Sequence, residues 1–422
     1  MDPFGDEPSP VSIEYEPVSV KDVLVEMKDT AELLIDLSYS AVLHRNEDLA
    51  REVLRLERRM DVLEMRARMG LLMASRNPGD AEQLAPVLGI VAATGTISDA
   101  AGDIAKIVLE EMGLPEAMRA ALPEAAGVLV RGVVDADSPY ADRTLQDIDL
   151  ESETGVRVIA LRRGGRRLSS DDPSGSGGAG DEDWLLNPGP TTTIAPDDVA
   201  FLRGPDAAIE GVYETLTGSP YEGPAVETPD VDDLERAVDT IVHMKNLSEL
   251  AIDLAYSSVL FDSEGLAEEV RNLEVEVDAM QSRFEAWTLR AAGDAPDPVA
   301  LRGLIRLGTS TEVISDAALD LSEGVFREIE VHPVVGMAVG ESDEIIARIE
   351  VESGSTLDGT TIAAGVPETE PTMSVIAIRR PDEGWLLVGD ADAEIREGDV
   401  LISKGTRTAA EAFEELAAAT AR

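Results

Sequence analysis

Apolar residues recur at helical spacing from Lys21 to Leu43, with Val23, Leu24, Met27, Ala31, Leu34, Leu37 and Ala41 along one stripe. His44-Arg45-Asn46 breaks that stripe. A second begins at Glu47 and runs to Met73 through Leu49, Val53, Leu56, Met60 and Leu63. Asn77-Pro78-Gly79-Asp80 is a stop-and-turn signal, and a third helical stretch follows from Ala81 to Met112. An exposed apolar stripe of that length is costly, so three such helices on short connections predict an antiparallel bundle. The period then shortens. Short runs around 127–130, 155–161, 184–186 and 199–202 read as strands, and 205–216 as a closing helix, which together make a small α+β unit.

The whole pattern occurs twice. MKDTAELLIDLSYSAVL from Met27 returns as MKNLSELAIDLAYSSVL from Met244, 217 residues later, with 11 of 17 positions identical. The same offset carries Glu57 and Asp61 onto Glu274 and Asp278, and Ser98, Asp99 and Asp103 onto Ser315, Asp316 and Asp320. It also carries VIALRR at 158–163 onto VIAIRR at 375–380. Beyond Leu168–Glu182 (LSSDDPSGSGGAGDE) the offset drops to 201, matching Trp184-Leu185-Leu186 to Trp385-Leu386-Leu387 and Asp198 to Asp399. That Ser/Gly/Asp insertion reads as an exposed hairpin extension. In the second copy helices are expected at 231–261, 263–291 and 297–327. Strands are expected near 344–351, 373–379, 385–388 and 400–403, with a helix at 408–418. EIIARIEV alternates, as an edge or interface strand does.

These signals divide the chain into an acidic tail (1–17), a helical bundle (18–118) and an α+β domain (119–218) with its insertion at 168–182. A linker (219–230), a second bundle (231–335) and a second α+β domain (336–422) follow. Composition adds the solvent. The 422 residues hold 84 Asp and Glu against 35 Lys and Arg, a formal net charge of −49, and only five of the basic residues are lysines. Such a surface suits high salt, where long-range repulsion is screened, and it opposes nucleic-acid binding. Cysteine is absent, which excludes disulfides, thiolate metal sites and a cysteine nucleophile. No run approaches eighteen apolar residues and no secretory leader is evident, so a chain without direct membrane insertion is expected. His44, His243 and His332 are not at ligand spacing, and no nucleophile–base set is present, so an enzyme is not expected.

The helical parts resemble PhoU-type bundles. The α+β parts resemble the C-terminal domain of TrkA-type regulators (the RCK C-terminal domain). That likeness is carried by GSTLDGTTI at 354–362, VIAIRR at 375–380, the Trp385 strand and EGDVLISKG at 397–405, with SPYADRTL, VIALRR, WLL and PDDVAFLRG in the first copy. The fold class is then multidomain α and α+β: two antiparallel PhoU-like bundles, each followed by a small TrkA C-terminal-like domain, in a chain of haloarchaeal character. The resemblance implies a cytoplasmic regulatory subunit of a cation (potassium) transport system, peripheral to the membrane through its transporter or channel and able to form a homodimer. It implies a divalent or ferric cation on the bundles and a cyclic dinucleotide at the α+β domains. The alternative is a PhoU-type phosphate-signalling adaptor. No GxGxxG segment follows a strand, so the nucleotide-binding Rossmann domain of typical TrkA proteins is missing.

Four groups of residues carry candidate chemistry. Glu57 and Asp61, Asp99 and Asp103, Glu274 and Asp278, and Glu312, Asp316 and Asp320 stand one helical turn apart, a spacing similar to the metal-binding E/DxxxD motifs of PhoU proteins. A solvated acidic face gives the same pattern, and Gly95 replaces Glu312 in the first copy. Arg162, Arg163, Arg379 and Arg380 close matched strands as anion-binding forks or as hairpin ion pairs. Thr144 and Thr361 lie near turns, as anion-assisting or capping residues. Asp36 and Asp253 sit in apolar helices and need partners, either inside the bundle or from a cation or another surface.

Overall fold

The computed structural model describes residues 19–113, 128–148, 150, 154, 156–163, 184–186, 188–189, 191–204, 206–221, 232–295, 298–326, 333–341, 345–361, 373–381, 384–387, 394–405 and 407–418. The acidic tail, the insertion at 168–182 and the linker beyond Tyr221 lie outside these residues.

The first bundle is α1 (Val20–His44), α2 (Glu47–Ala74) and α3 (Pro78–Leu109). Its breaks have local causes. Arg45 takes a left-handed conformation (φ 46°) that ends α1. The Asn46 side chain then accepts from the backbone N–H of Asp48 and Leu49, and Asn77 does the same for Gly79 and Asp80. The first sheet is built from β1 (Val128–Val133), β3 (Arg157–Arg162), β4 (Trp184–Leu186) and β6 (Val199–Gly204), in the order β1-β6-β3-β4. All its pairings are antiparallel. A two-residue ribbon of β2 (Arg143–Thr144) with β5 (Thr193–Ile194), a turn of helix α4 (Leu145–Ile148) and α5 (Asp206–Thr217) complete the domain.

The second copy repeats this plan. Its bundle is α6 (Asp232–Leu260), α7 (Glu264–Asp294) and α8 (Arg302–Phe326), the last entered through a 3-10 turn at Pro298–Leu301. Asp262 (φ 47°) ends α6 as Arg45 ends α1. A short helix α9 (Val334–Glu341), which helical periodicity did not single out, packs on both α1 and α6. The second sheet is β7 (Ile345–Glu350), β8 (Ser374–Arg380), β9 (Gly384–Leu387) and β10 (Val400–Gly405), ordered β7-β10-β8-β9, with helix α10 (Arg407–Ala417).

One continuous core joins both bundles with the inner faces of both sheets, through Phe201, Ile346, Ile376 and Ile402 among others. The outer face of each sheet has a separate small core, roofed by α5 on the first and α10 on the second. The bundles meet along α3 and α8. Glycine permits the approach: a Cβ on Gly303 would lie 2.6 Å from the Gly113 carbonyl oxygen. The contact is matched on its two sides. The buried Lys28 ammonium lies 5.5 Å from the Tyr256 ring centre, and that of Lys245 lies 5.5 Å from the Tyr39 ring. Tyr39 Oη and Thr311 Oγ1 are hydrogen-bonded at 2.7 Å. Burial raises the pKa of both tyrosines, so they stay neutral.

One helix is more apolar than the run-length reading suggests. Among the described residues, α3 is long and apolar enough to cross a membrane by length and composition, with an 18-residue window of mean hydropathy 1.4. The reason is its place in the fold: it packs against α1, α2 and α8, so apolar residues occupy most sides.

Candidate functional site

The acidic residues singled out by spacing gather into two equivalent clusters, one per bundle, each between the second and third helix. In the second bundle, α7 supplies Glu274 and Asp278, and α8 supplies Asp316. One carboxylate oxygen from each lies within 4.8 Å of the others. Glu312, one turn before Asp316, shares a hydrogen bond with it. Burial, then the charges of Asp316 and Asp278, raise the Glu312 carboxyl to about 7. Glu274, Asp316 and Asp320 are also raised, each by burial first and neighbouring carboxylates next. Among the described residues, none of these five acids has a cationic partner. Three converging carboxylates offer hard oxygen donors only, which fits a divalent ion such as Mg²⁺, Mn²⁺ or Ca²⁺. Such an ion would be held by Glu274, Asp278 and Asp316, and would relieve the crowding that raises Glu312.

In the first bundle, Glu57, Asp61, Asp99 and Asp103 take the matching positions on α2 and α3. The cluster has a fifth member that spacing did not reveal. Gly95, where the second copy has Glu312, leaves a gap, and the Glu64 carboxylate fills it: a Cβ on Gly95 would lie 3.1 Å from Glu64 Oε2. The residue matching Glu64 is Gln281. The acid has moved from one helix to its neighbour, a pair of compensating changes visible only once the offset copies are laid on each other.

The first cluster is also neutralised from within. Lys106 Nζ lies 3.1 Å from Asp103 Oδ1 and 3.6 Å from Glu57 Oε1. Arg306, reaching across from α8, lies 2.6 Å from Asp103 Oδ2, and Arg68 pairs with Glu64. The second copy holds no equivalent cation: Glu323 matches Lys106, Glu285 matches Arg68 and Gly89 matches Arg306. Glu57, Glu64 and Asp99 are still raised, chiefly by burial, but each has a base nearby that counters it.

The strand-ending arginines have internal partners. Arg380 donates from Nε to Asp399 Oδ1 (3.0 Å) and from Nη2 to Asp399 Oδ2 (2.9 Å) and the Glu394 carbonyl (2.8 Å). Arg163 pairs with Asp198 and donates to the Thr193 carbonyl at 2.9 Å. Asp198 and Asp399 are buried and also accept from the backbone N–H of Ala195 and Arg396. Each arginine thus fastens its strand to the turn before the next one. Arg162 is ion-paired with buried Glu52 at 2.8 Å, whereas Arg379 is exposed. Thr144 Oγ1 accepts from the Asp147 N–H at 3.2 Å, a turn cap, and Thr361 bridges to Glu394.

Asp36 and Asp253 find their partners outside the helices that carry them. Arg203 on β6 reaches Asp36 at 3.1 Å. Lys404 on β10 reaches Asp253 at 2.7 Å and also Glu32 of the first bundle at 3.2 Å. These half-buried acids are therefore anchors for the sheets, a role that the sequence suggested only as contact with another surface.

Family models match both kinds of unit. The PhoU domain model matches residues 24–108 and 241–325, and the TrkA-C domain model matches residues 129–174 and 346–418. Among curated proteins, none matches the sequence. Among solved structures, the crystal structure of PhoU from Pseudomonas aeruginosa aligns at 13% identity and a TM-score of 0.39, over 73% of this chain and 95% of that one. The crystal structure of the GsuK RCK domain aligns at 12% identity and a TM-score of 0.16, over 78% of each chain. The GsuK channel aligns at 14% identity and a TM-score of 0.17, over 78% of this chain and 65% of that one. PhoU and TrkA-C domains are regulatory rather than catalytic modules. The chain is thus a regulatory protein with a PhoU-plus-TrkA-C architecture, present twice in tandem.

Proposed function

We propose that this chain is a cytoplasmic regulatory subunit of a cation transport system, with potassium as the transported ion and a membrane transporter or channel as its partner. The α+β domains act as its small-ligand modules, and the second bundle holds a divalent cation. One observation supports the reading most directly: each sheet is tied to the bundles by an ion pair, Arg203 to Asp36 and Lys404 to Asp253 and Glu32. A change at a sheet is thereby felt at a bundle, which is what coupling a ligand to a partner requires. The acidic, lysine-poor surface supports work in a salt-rich cytoplasm. A homodimer closing the outer sheet edges belongs to the same reading.

Co-purification of the full chain with membrane proteins from a high-salt host tests it. Recovery of a cation transporter or channel is the expected result. A second reading, a PhoU-type adaptor in phosphate signalling, draws on the carboxylate cluster at Glu274, Asp278 and Asp316. A phosphate transporter or sensor kinase in the same experiment would replace the first reading with it.

A further inference from the structure

On the second sheet, two arginines among the described residues take part in neither the acidic cluster nor the sheet anchors and strand fastenings. In the first copy, Arg131 on β1 and Arg162 on β3 flank β6 and meet the start of α2. Arg131 Nη1 lies 3.8 Å from Asp48 and Arg162 Nε lies 2.8 Å from Glu52, which also holds Arg55 at 2.7 Å. The 217 offset carries these arginines onto Arg348 of β7 and Arg379 of β8. Arg348 is paired opposite Ile402 and Arg379 opposite Val400, so both share the face of β10 that carries Lys404.

Their surroundings have changed. Asp48 is replaced by Gly265 and Arg55 by Asn272. Trp385, the cross-strand neighbour of Arg379, now stands against the first turn of α7: its Nε1 would lie 2.7 Å from a Cβ on Gly265. Glu269, which matches Glu52, accepts from the Asn272 amide at 3.4 Å instead of from an arginine. Arg348 and Arg379 are both exposed, and among the described residues neither side chain has an ion pair or hydrogen bond. In a chain with 84 acids to 35 bases, two guanidinium groups on one sheet face with no partner among the described residues depart from their setting.

We propose that Arg348 and Arg379 bind a phosphoryl group, with the Trp385 indole beside it. The two arginines stand two strands apart (about 9.6 Å) and two residues apart along β10 (about 6.8 Å), a diagonal of about 12 Å that two extended arginines span from opposite sides of one anion. Planar guanidinium forks match phosphate oxygens, and an indole face offers a stacking surface for a base attached to that phosphate. The pair borders the junction of sheet and bundle, beside Lys404 and the start of α7, a place suited to a small soluble phosphate ester. The site exists in one copy only, because Asp48 and Glu52 quench its counterpart. The proposal rests on the reading of the α+β domains as ligand modules.

Calorimetric titration of the full chain at constant ionic strength tests it, with inorganic phosphate, a nucleoside diphosphate and phosphatidylglycerol vesicles as separate probes. Binding of phosphate or nucleotide is expected, weakened about tenfold or more in R348A/R379A and by a smaller factor in R348K/R379K, which keeps the charge but loses the fork. Both side chains are exposed, so unchanged melting of the variants verifies that the fold is intact. Binding only to vesicles, lost in the same variants, keeps the phosphoryl site and assigns it to a lipid headgroup. No binding to any probe overturns the proposal. So does binding that R348A/R379A leaves intact, although that result spares the broader ligand reading by placing its site elsewhere.

Discussion

The two carboxylate clusters occupy the same place in two copies of one bundle, yet their electrostatics are opposite. Around Glu57, Asp61, Glu64, Asp99 and Asp103 the chain supplies its own cations, Lys106, Arg68 and Arg306. Around Glu274, Asp278, Glu312, Asp316 and Asp320 it supplies further acids, Glu285 and Glu323, at two of those three positions. A tethered ammonium satisfies carboxylates without recruiting anything from solution. A cluster without one stays crowded, and its carboxyls respond by holding protons, as the raised Glu312 shows. The difference teaches that one copy tethers bases to its clustered carboxylates while the other leaves them without a cation among the described residues.

The comparison is broken most directly by counting metal ions. One divalent cation per chain is expected in a Mn²⁺ or Mg²⁺ titration, and D278N/D316N should weaken it by roughly 100-fold by removing two of three ligand charges. Two equal sites in the wild-type chain would erase the distinction. The next largest effect concerns the internal cation. K106E should raise the stoichiometry toward two and make the melting temperature newly dependent on metal. Without metal it should cost about 1 kcal/mol, the modest scale of a half-exposed pair.

A smaller effect contrasts the two sheet anchors. K404M removes contacts to Asp253 and Glu32 together, whereas R203M removes one contact to Asp36. K404M should therefore lower stability by more, about 2 against about 1 kcal/mol in denaturant unfolding. The smallest effect is in pH. In chelator-treated protein, Glu312 binds its proton more tightly folded than unfolded, so stability is fully favoured below pH 4.5 and declines as pH rises to about 7. Because the group is only part-buried and is screened by solvent, the decline attributable to it should be near 1 kcal/mol. E312Q should remove it, and saturating Mg²⁺ should flatten the profile in the wild type.

Much of this architecture was legible in the sequence because its signals are local or repeated. Helical stripes, the Asn46 and Asn77 breaks, and the register-preserving offset of 217 need no tertiary knowledge. The helix Val334–Glu341 escaped because VVGMAVGE is a short apolar run without a clear period. The candidate site was half legible. Four-residue spacing found the acids on each helix, but Glu64 substitutes for Glu312 across two helices, and only the packed bundle brings them to one place. The neutralising bases lie at unrelated spacings for the same reason. Asp36 and Asp253 announced that they needed partners, but Arg203 and Lys404 are 167 and 151 residues away, beyond any sequence periodicity.

Lys404 has one further consequence. Its ammonium is held jointly by Glu32 from one half of the chain and Asp253 from the other, so the second sheet acts as a clasp across the duplication. The halves cannot part without stranding that charge, and the peptide joining them is not what keeps them together. Nicking the backbone between Tyr221 and Asp232 should leave a stable two-fragment complex.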